Sequence, residues 1–502
     1  MSDENIVAAL TDNGQGDRFE LLEKVLAESL FFETLEEERA RSGKEKPDFL
    51  VAVKPNLSMM LRRDDVGVYT DPFLVIHLLR LLLKRGYTRL CVVESQNLYG
   101  NWFEKRGVAP VGARAGYLDE SVLESWRGEG RWDIRVRGGG VDALVPLVDL
   151  TLEPAEYDIE GMGRAEVGKT WAEADFRISF AKAKSHFYSY YTLAVKNVYG
   201  CLPHQDKVTH YHCKRRVTPW TARLVKAFPV HFSIIDAVTG ADGWMGVKIK
   251  AVAKKPHTII AGRDILAVDR AGAALMGHKA EKSPIHRELA SIMPEKPYRL
   301  VGNAAPFKPW RTIPAIFVWI VVLIESSAWV MDYAGALATG GYDACFPHKR
   351  METSWWKRLL YMATAPVNLA LDWRYLTVLF RKLLFFRKIR RRFDDLPMIA
   401  GSRYITERLA YLSSSDAALL KSLLDKGLKG PVSLSGHYFF SGGGEFAFPA
   451  LLFITNIAVS EILNHIYEKR LSLTTFAGEL SLLQSLEPCI FGRDSRYAYC
   501  YE

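Results

Sequence analysis

A strand–helix–strand pattern in the first fifth of the chain constrains the fold more than any other feature. The apolar run DFLVAV, residues 48–53, predicts a buried strand, and RLCVV, residues 89–93, predicts the next one. Between them, FLVIHLLRLLLKR has the apolar spacing of a helix that ends at Gly86, with Thr70 as its N-cap and Pro72 in its first turn. Because the connections are short, we expect a βαβ crossover and therefore neighbouring parallel strands.

The pattern resumes further along the chain and predicts one large α/β domain over residues 45–305. Short apolar runs predict three more buried strands, and a helix is expected over 264–276; the strands are 176–180, 232–235 and 258–261. We therefore expect an open, mostly parallel, Rossmann-like sheet with flanking helices. Residues 1–44 are predicted to be an N-terminal extension with one helix over 18–43, and the Gly-rich stretch 100–168 is predicted to be irregular.

The sequence beyond residue 305 has a different texture. Residues 313–331 form a nineteen-residue apolar run with one charge, Glu325, which is close to the length of about 20 residues that spans a bilayer. Residues 346–395 contain twelve Lys or Arg but only four Asp or Glu, together with many aromatic and apolar residues. We predict membrane attachment through 313–393, within an apolar and basic segment 306–400, followed by an α-rich region 401–502. A core helix that packs under the domain is the alternative for 313–331.

Composition excludes several classes of protein. Six cysteines are scattered without any CxxC pair, which disfavours a ferredoxin-type cluster or a zinc ribbon and suits a reducing compartment. The first residues are polar and acidic, so no secretory signal is expected. We predict a bacterial-type cytoplasmic protein that is peripheral or monotopic at the inner membrane. The basic segment fits an anionic membrane surface better than nucleic acid.

The stretch 182–216 is the first candidate for a functional site. It holds seven Lys or Arg and four His but one acid, among apolar and aromatic residues. Lys182, Lys184 and His186 are expected to follow the strand 176–180, and residues 188–199 are expected to form a helix that carries Lys196 and Asn197. Lys207 and His210 follow. Lysine binds phosphate or carboxylate, and histidine transfers protons near neutral pH. A solvated basic loop is the alternative, and HYHC at 210–213 leaves a metal ion open.

A second group of polar residues follows the first predicted strand. Lys54 and Asn56 end that strand, while Thr70 and Asp71 begin the next helix. In open α/β sheets this edge binds ligands, and a helix N-terminus favours an anion. The alternative is that Asn56 and Thr70 only cap turns. Asp242, in the segment GADGWMG, is a further candidate for the same edge.

These residues occur in motifs that resemble the family known as domain of unknown function 362. The motifs are VKPNL, YTDP, VVES, KAKSH, LAVKNVYG, DK followed by His210, IIDAVTGADG and AGRDILAVDRAGAALMG, and they cover roughly residues 48–280. The resemblance implies an α/β domain with a polar site at Lys54, Asn56, Lys184, His186, Lys196, Asn197, Lys207 and His210. Some members carry a ferredoxin-like module, for which this chain lacks the cysteine spacing. At the level of fold, the family is also similar to lactate racemases with paired catalytic histidines.

Our first hypothesis is an enzyme that acts on an anionic substrate, with a lipid-linked substrate as one version. Its catalytic candidates are His186, His210, Lys184 and Asp242, and its substrate-binding candidates are Lys54, Asn56, Thr70, Asp71, Lys196, Asn197 and Lys207. Proton transfer, group transfer and redox chemistry all stay open. The alternative is a non-catalytic, membrane-associated binding or assembly protein that holds an anionic small molecule or lipid head group. A redox protein of the iron–sulfur-associated type is disfavoured by the cysteines. The cofactor is unknown, and a homo-oligomer stays open.

Overall fold

The computed structural model describes most of the N-terminal 307 residues. The described residues are 5–12, 16–57, 67–96, 107–119, 121–125, 128–186, 189–204, 207, 211, 217–242, 255–307, 310 and 318. They form a mixed α/β structure with one large central sheet and flanking helices.

The described strands are twelve in number. They are β1 (Ile6–Thr11), β2 (Val51–Pro55), β3 (Leu90–Glu94), β4 (Arg131–Gly138), β5 (Val141–Asp149), β6 (Pro154–Ile159), β7 (Gly163–Gly168), β8 (Phe176–His186), β9 (Tyr190–Thr192), β10 (Phe232–Ala241), β11 (Thr258–Gly262) and β12 (Arg299–Val301). The described α-helices are α1 (Arg18–Glu28), α2 (Phe31–Ser42), α3 (Pro72–Lys84), α4 (Val108–Ala115), α5 (Val122–Ser125), α6 (Lys169–Glu173), α7 (Ala194–Asn197), α8 (Val217–Ala227), α9 (Ile265–Leu275) and α10 (Pro284–Ile292).

The central sheet is mixed, so the prediction of a mostly parallel sheet holds in part. Its strand order is β12-β1-β11-β10-β8-β2-β3-β5-β4, and β9 pairs with β8. The strands β10, β8, β2, β3 and β5 are parallel neighbours. Antiparallel pairs flank them, because β4 returns on β5 through a tight hairpin and β11 lies antiparallel to both β10 and β1. Parallel pairing therefore holds for the five central strands and for the edge pair of β1 and β12.

The first βαβ unit forms as predicted, with one change at the start of its helix. Strands β2 and β3 are parallel neighbours on either side of α3 in the sequence. Asp71, and not Thr70, is the N-cap of α3, because its carboxylate accepts from the backbone N–H of Phe73 at 2.9 Å. Pro72 occupies the first turn, where its missing N–H costs nothing. The leucines of α3 pack into the main core with the apolar residues of β2 and β3.

The N-terminal residues depart from the predicted single helix. Two helices form, and Leu30 interrupts them with a left-handed backbone at φ 57°. Gly43, at φ 68°, then ends α2 as the glycine stop that a left-handed position favours. The strand β1 was not predicted from the sequence, although it lies inside the sheet between β11 and β12. Its six residues are too few for their hydrophobic pattern to distinguish a strand from an irregular N-terminal segment.

The prediction that residues 100–168 are irregular is wrong for their described part. Strands β4 and β5 form a hairpin at the edge of the central sheet, and β6 and β7 form a separate two-stranded sheet. In β4, Ile134 and Val136 are buried while most of their neighbours are exposed, which is the period-two pattern of a strand. Gly138, Gly139 and Gly140 all have positive φ, so the glycines that suggested irregularity make the turn.

Residues 401–502 and nearly all of 306–400 lie outside the described part of the chain. Of the apolar run 313–331, Val318 alone is described, so the predicted membrane segment 313–393 and the α-rich region stay predictions. Within the described residues, no helix combines the length and the apolar character that crossing a bilayer requires.

Candidate functional site

Four parallel neighbours, β3, β2, β8 and β10, run in the same direction and carry charged side chains near their carboxyl ends. Strand β8 is longer than predicted, because β9 pairs with its end and Ala241 of β10 lies opposite Lys184. Lys182, Lys184 and His186 therefore lie within the strand and do not follow it. Alternate residues of a strand share one face, so these three side chains begin on the same side of the sheet.

The first charged element is a buried ion pair between β2 and β3. The Nζ of Lys54 lies 2.8 Å from Oε2 of Glu94, and the two side chains are 1% and 2% exposed. Lys54 also donates to the carbonyl of Pro55 at 2.7 Å. Glu94 accepts from the backbone N–H of Leu57 at 3.1 Å and of Ser95 at 2.9 Å. These bonds offset the desolvation of both charges, so the pair fixes the ends of the two strands to each other.

A second buried pair links β8 to β10. The Nζ of Lys182 donates to Oδ2 of Asp236 at 2.8 Å, and both side chains are almost fully buried. The same carboxylate accepts from the backbone N–H of Asp71 at 3.0 Å and of Val238 at 3.1 Å. Asp236 therefore holds the start of α3 against the sheet.

The contacts of Asp71 stabilise the start of α3. Its carboxylate caps α3 and lies 2.9 Å from Nε of the half-exposed Arg18. Burial raises the pKa of Asp71, the neighbouring Asp236 raises it further, and Arg18 opposes both. These contacts give Asp71 a structural role, as the N-cap of α3 and as the partner of Arg18. Its predicted role in substrate binding stays a prediction.

Lys184 joins three of the predicted site residues in one network. Its Nζ donates to Oδ1 of Asn56 at 3.0 Å and to the carbonyl of Val68 at 2.9 Å. The amide of Asn56 lies 3.4 Å from Oδ1 of Asn197, whose own amide donates to the carbonyl of Lys54 at 2.7 Å. Residues from β2, β8 and α7, far apart in the sequence, are thus brought together as the sequence predicted.

Thr70 connects this network to the backbone. Its hydroxyl donates to the carbonyl of Phe180 at 2.8 Å and accepts from the backbone N–H of Asn56 at 2.9 Å. Thr70 is fully buried. It therefore ties the ends of β2 and β8 together, which agrees with the alternative that Thr70 serves a turn.

Lys207 is the buried amine with the most unusual environment. Its Nζ donates to Oγ of Ser95 at 2.9 Å and to the carbonyl of Leu202 at 2.6 Å, and it lies 5.6 and 5.7 Å from the ring centroids of Tyr199 and Tyr211. Burial lowers the pKa of Lys207 to about 7; Lys54 lowers it as well, while Glu94 opposes the change. The amine therefore exchanges its proton near neutral pH, unlike an ordinary lysine.

The helix predicted over 188–199 is wrong. Strand β9 is followed by the single turn α7 and a 3₁₀ turn, Val198–Cys201. Tyr190, at φ 70°, has a backbone conformation that a helix does not use. The short turn nevertheless carries Lys196 and Asn197 to the site, and Nζ of Lys196 lies 4.3 Å above the ring of Tyr199.

Gly200 makes the close packing of this turn possible. A Cβ on Gly200 lies 2.5 Å from Oε1 of Glu94 and 2.7 Å from Nζ of Lys54, which is closer than side-chain carbons approach such atoms. The carbonyl of Gly200 also accepts from Oγ of Ser95 at 2.6 Å. A residue without a side chain is therefore required where the turn contacts the Lys54–Glu94 pair.

Two of the remaining catalytic candidates, His186 and Asp242, lie within the described residues. His186 ends β8, is half-buried, and accepts through Nδ1 from the backbone N–H of Ser189 at 3.3 Å. Asp242 is buried directly after β10, one residue beyond Ala241, which pairs with Lys184. His210 lies outside the described residues. The catalytic roles of His186, His210 and Asp242 thus stay predictions.

Glu94, Ser95 and Asp236 belong to this edge but were not among the predicted site residues. Glu94 is the last residue of β3, and Asp236 lies in β10 beyond the four-residue strand that its apolar run suggested. Their signal in the sequence is a polar residue after a buried apolar run, the same signal that selected Lys54. Within the described residues, no group of three or more His, Cys, Asp or Glu could hold a metal ion.

Comparison with known proteins adds one finding. A family model described as a domain of unknown function (DUF362) matches residues 51–274, the middle of the chain, and leaves the C-terminal region unmatched. No curated protein and no solved structure matches the chain. The match spans all four strands whose ends carry the buried charges.

Proposed function

From the premise that residues 51–274 are a DUF362 domain, we propose that the chain is an enzyme that binds an anionic substrate at the carboxyl ends of β2, β3, β8 and β10. We name this edge, with Lys54, Glu94, Lys182, Asp236, Lys184, Asn56, Asn197, Ser95 and Lys207, the lysine edge. One observation carries the proposal: buried lysine amines lie near the carboxyl ends of neighbouring parallel strands, at the edge of an open α/β sheet where ligands bind.

The lysine edge has a small excess of lysines over carboxylates. Four buried lysines, Lys54, Lys182, Lys184 and Lys207, lie near four buried carboxylates among the described residues, Glu94, Asp149, Asp236 and Asp242, so the excess comes from the half-buried Lys196. Two of the lysines are neutralised in ion pairs, and Lys196 adds a further cation at the same turn. Buried cations are costly unless a counter-charge accompanies them, so a bound phosphate or carboxylate stabilises the arrangement.

Proton transfer is the chemistry that this edge supports best. A general acid or base works most effectively when its pKa lies near the working pH, and burial lowers the pKa of Lys207 to about 7. We propose Lys207 as a proton-transfer group, beyond the substrate-binding role predicted for it. Lys184, His186, His210 and Asp242 stay proposed as its catalytic partners, and Lys54, Asn56, Lys196 and Asn197 as groups that hold the substrate.

The proposal is tested with anions added to the purified full chain. Thermal unfolding and native mass spectrometry are recorded with orthophosphate, pyrophosphate, glycerol 3-phosphate, acyl phosphates and citrate, and each mixture is then analysed for products. We expect at least one anion to raise the melting temperature of the wild type, and Lys207→Met and Lys196→Met to weaken that effect. Lys226→Met is the matched control, because Lys226 pairs with Glu160 on the exposed surface.

The outcomes separate the two functional hypotheses. Stabilisation with turnover supports the enzyme, and loss of turnover in Lys207→Met assigns the proton transfer. Stabilisation without turnover across the panel supports the non-catalytic binding protein. The absence of stabilisation by every anion contradicts both.

We also propose that the basic segment 313–393 attaches the enzyme to an anionic membrane, where a lipid-linked substrate lies. Flotation of the full chain with phosphatidylglycerol-containing vesicles tests this, with phosphatidylcholine vesicles as the control. Co-flotation with the anionic vesicles alone is expected. A chain that stays behind in both mixtures contradicts the attachment.

A further inference from the structure

We propose that Ser95 is a nucleophile and Lys207 its general base, so that the lysine edge cleaves a carboxylic ester of an anionic compound through an acyl-serine intermediate. This inference rests on the proposed function, because it uses the same edge and the same lysine. It adds a catalytic residue, the class of the substrate and the bond that is broken.

The distance between the two groups suits this chemistry. Oγ of Ser95 lies 2.9 Å from Nζ of Lys207, within the reach over which a base removes a proton from a nucleophile. A third group orients the base, since the carbonyl of Leu202 accepts from the same amine at 2.6 Å. Nucleophile, base and orienting group form the arrangement on which serine nucleophiles rely, with lysine in place of histidine.

The surroundings of Lys207 favour the neutral amine that a base requires. The amine is buried, and its hydrogen-bond partners are two neutral oxygens. The rings of Tyr199 and Tyr211 beside it act in the opposite direction, because an aromatic face attracts a cation. By contrast, Lys54 and Lys182 are also buried but donate to carboxylates. Lys207 thus differs from these two neighbours in the hydrogen-bond partners of its amine.

Ser95 also occupies a suitable position. It directly follows β3, at the carboxyl edge of the sheet, and its backbone N–H is held by Oε1 of Glu94 at 2.9 Å. Its hydroxyl lies 2.6 Å from the carbonyl of Gly200 and can rotate to donate to Lys207 instead. Glu94 is fixed in turn by Lys54, so the nucleophile is supported by an ion pair and not by a loose loop.

The proposed step balances as follows. Oγ of Ser95 forms a bond to the ester carbonyl carbon while its proton moves to Nζ of neutral Lys207. The bond from that carbon to the leaving alcohol oxygen breaks, and the alcohol takes the proton from Lys207. Water then loses a proton to Lys207 and attacks the acyl carbon. The bond from that carbon to Oγ of Ser95 breaks, Oγ takes the proton back from Lys207, and the carboxylic acid is released. The net reaction is hydrolysis of the ester.

A fluorophosphonate probe tests the nucleophile without knowledge of the substrate. The serine oxygen bonds to phosphorus, fluoride leaves, and the proton passes to Lys207. We expect peptide mapping of the full chain to place one adduct on Ser95, with a labelling rate that rises with pH through a midpoint near 7. Lys207→Met is expected to slow labelling by about 100-fold or more, since a positioned base typically contributes that factor.

Matched variants keep the result interpretable. Ser95→Ala removes the adduct, whereas Ser29→Ala, a buried serine that donates to backbone carbonyls on α1, leaves it unchanged. If Ser95→Ala does not fold, Ser95→Cys replaces it, and its alkylation by iodoacetamide is expected to depend on Lys207 in the same way. A folded wild type without an adduct on Ser95, or with labelling that ignores Lys207→Met, overturns the proposal.

The two proposals fail in different ways. Anion stabilisation without labelling of Ser95 removes the serine mechanism and leaves the anion site intact. Labelling of Ser95 without stabilisation by any anion removes the anion site and leaves a reactive serine. Because both side chains are buried, labelling also reports whether an electrophile reaches them.

Discussion

The lysine edge and the β4–β5 hairpin both contain ion pairs, but in opposite surroundings. At the lysine edge, Lys54 and Glu94 lie 2.8 Å apart with 1% and 2% of their side chains exposed. On the hairpin, Arg135 and Asp142 lie 3.2 Å apart with 55% and 60% exposed. The exposed pair is screened by water and salt, whereas the buried pair is not. Similar distances therefore carry very different energies, and burial is what sets the lysine edge apart as a candidate site.

A second contrast exists among the buried carboxylates. Glu94 and Asp236 each face a lysine. Asp269 on α9 is fully buried and instead accepts from the backbone N–H of Val195, at the start of the turn α7. Burial raises the pKa of Asp269 to about 7, against an ordinary value of 3.8, and the backbone bonds only partly oppose this. The buried carboxylates of the lysine edge are thus stabilised by lysines, whereas that of Asp269 is stabilised by a backbone N–H at the start of a helical turn.

The largest effect is expected from Glu94→Gln, which breaks the buried pair. The variant leaves the amine of Lys54 buried without an anion, and removing one partner of such a pair costs about 3–5 kcal/mol. Urea unfolding of the full chain, followed by tryptophan fluorescence, measures the loss. The double variant Lys54→Met with Glu94→Leu is expected to recover part of it, because it removes both charges together. An unchanged unfolding midpoint in Glu94→Gln contradicts the buried pair.

The next effect is a dependence of stability on pH that originates in Asp269. Because its folded pKa is about 7 and its ordinary value is 3.8, the folded state retains a proton that the unfolded state has lost between these pH values. The contribution of Asp269 to stability therefore falls as pH rises from about 4 to about 7. Asp269→Asn removes this slope, so the variant gains on the wild type by roughly 2–4 kcal/mol across that window.

Unfolding free energies of both proteins at pH 4.5 and pH 8 check this prediction. Asp264→Asn at the start of the same helix is the control, because the half-buried Asp264 caps α9 and accepts from the backbone N–H of Ala267 at 2.9 Å. Equal pH slopes in the wild type and Asp269→Asn contradict the assignment.

A smaller effect is expected from Gly200→Ala. The added methyl group meets Glu94 and Lys54 within 2.7 Å, so the turn and the ion pair have to move apart. Overpacking of this kind costs about 1–3 kcal/mol. The same variant in the Glu94→Gln background measures the coupling between them. Strict additivity of the two changes indicates that Gly200 does not pack on the pair.

The smallest effect is expected on the hairpin. Asp142→Asn removes the partner of Arg135 at a position open to water, and we expect no measurable change in the unfolding midpoint at physiological salt. The same urea titration measures the unfolding midpoint. If Asp142→Asn lowers the stability as much as Glu94→Gln does, burial does not distinguish the two ion pairs.

The sequence predicted the centre of the sheet and the lysine edge better than the surrounding structure. Apolar runs identified β2, β3 and the first halves of β8 and β10, because buried strands need continuous apolar residues. The predicted strands ended before Lys182 and at Asp236, although β8 and β10 continue. Each charged residue is tolerated inside its strand because it pairs with the other across the two strands, and a local pattern does not reveal this pair. The helix expected over 264–276 forms as α9 with Asp264 as its N-cap, because helix signals are local in the sequence.

Non-local pairing explains the main errors. Strand β1 joins the sheet through β11, more than 240 residues later in the chain, and no local pattern contains that information. The β4–β5 hairpin does not match the predicted irregular region. Three consecutive glycines suggest irregular structure, but Ile134 and Val136 before them alternate with polar residues, as a strand requires. The convergence of Lys184, Asn56 and Asn197 was predictable, because the carboxyl ends of parallel strands meet at one edge.

The lysine edge holds one amine, that of Lys207, whose pKa burial lowers to about 7. Lysines labelled with ¹³C at Cε report this directly, because the chemical shift follows the charge of each amine through a pH titration by NMR. We predict one resonance with a midpoint near 7 that is absent in Lys207→Met. If every lysine of the wild type titrates near its ordinary value, the lysine edge does not supply the base on which this account depends.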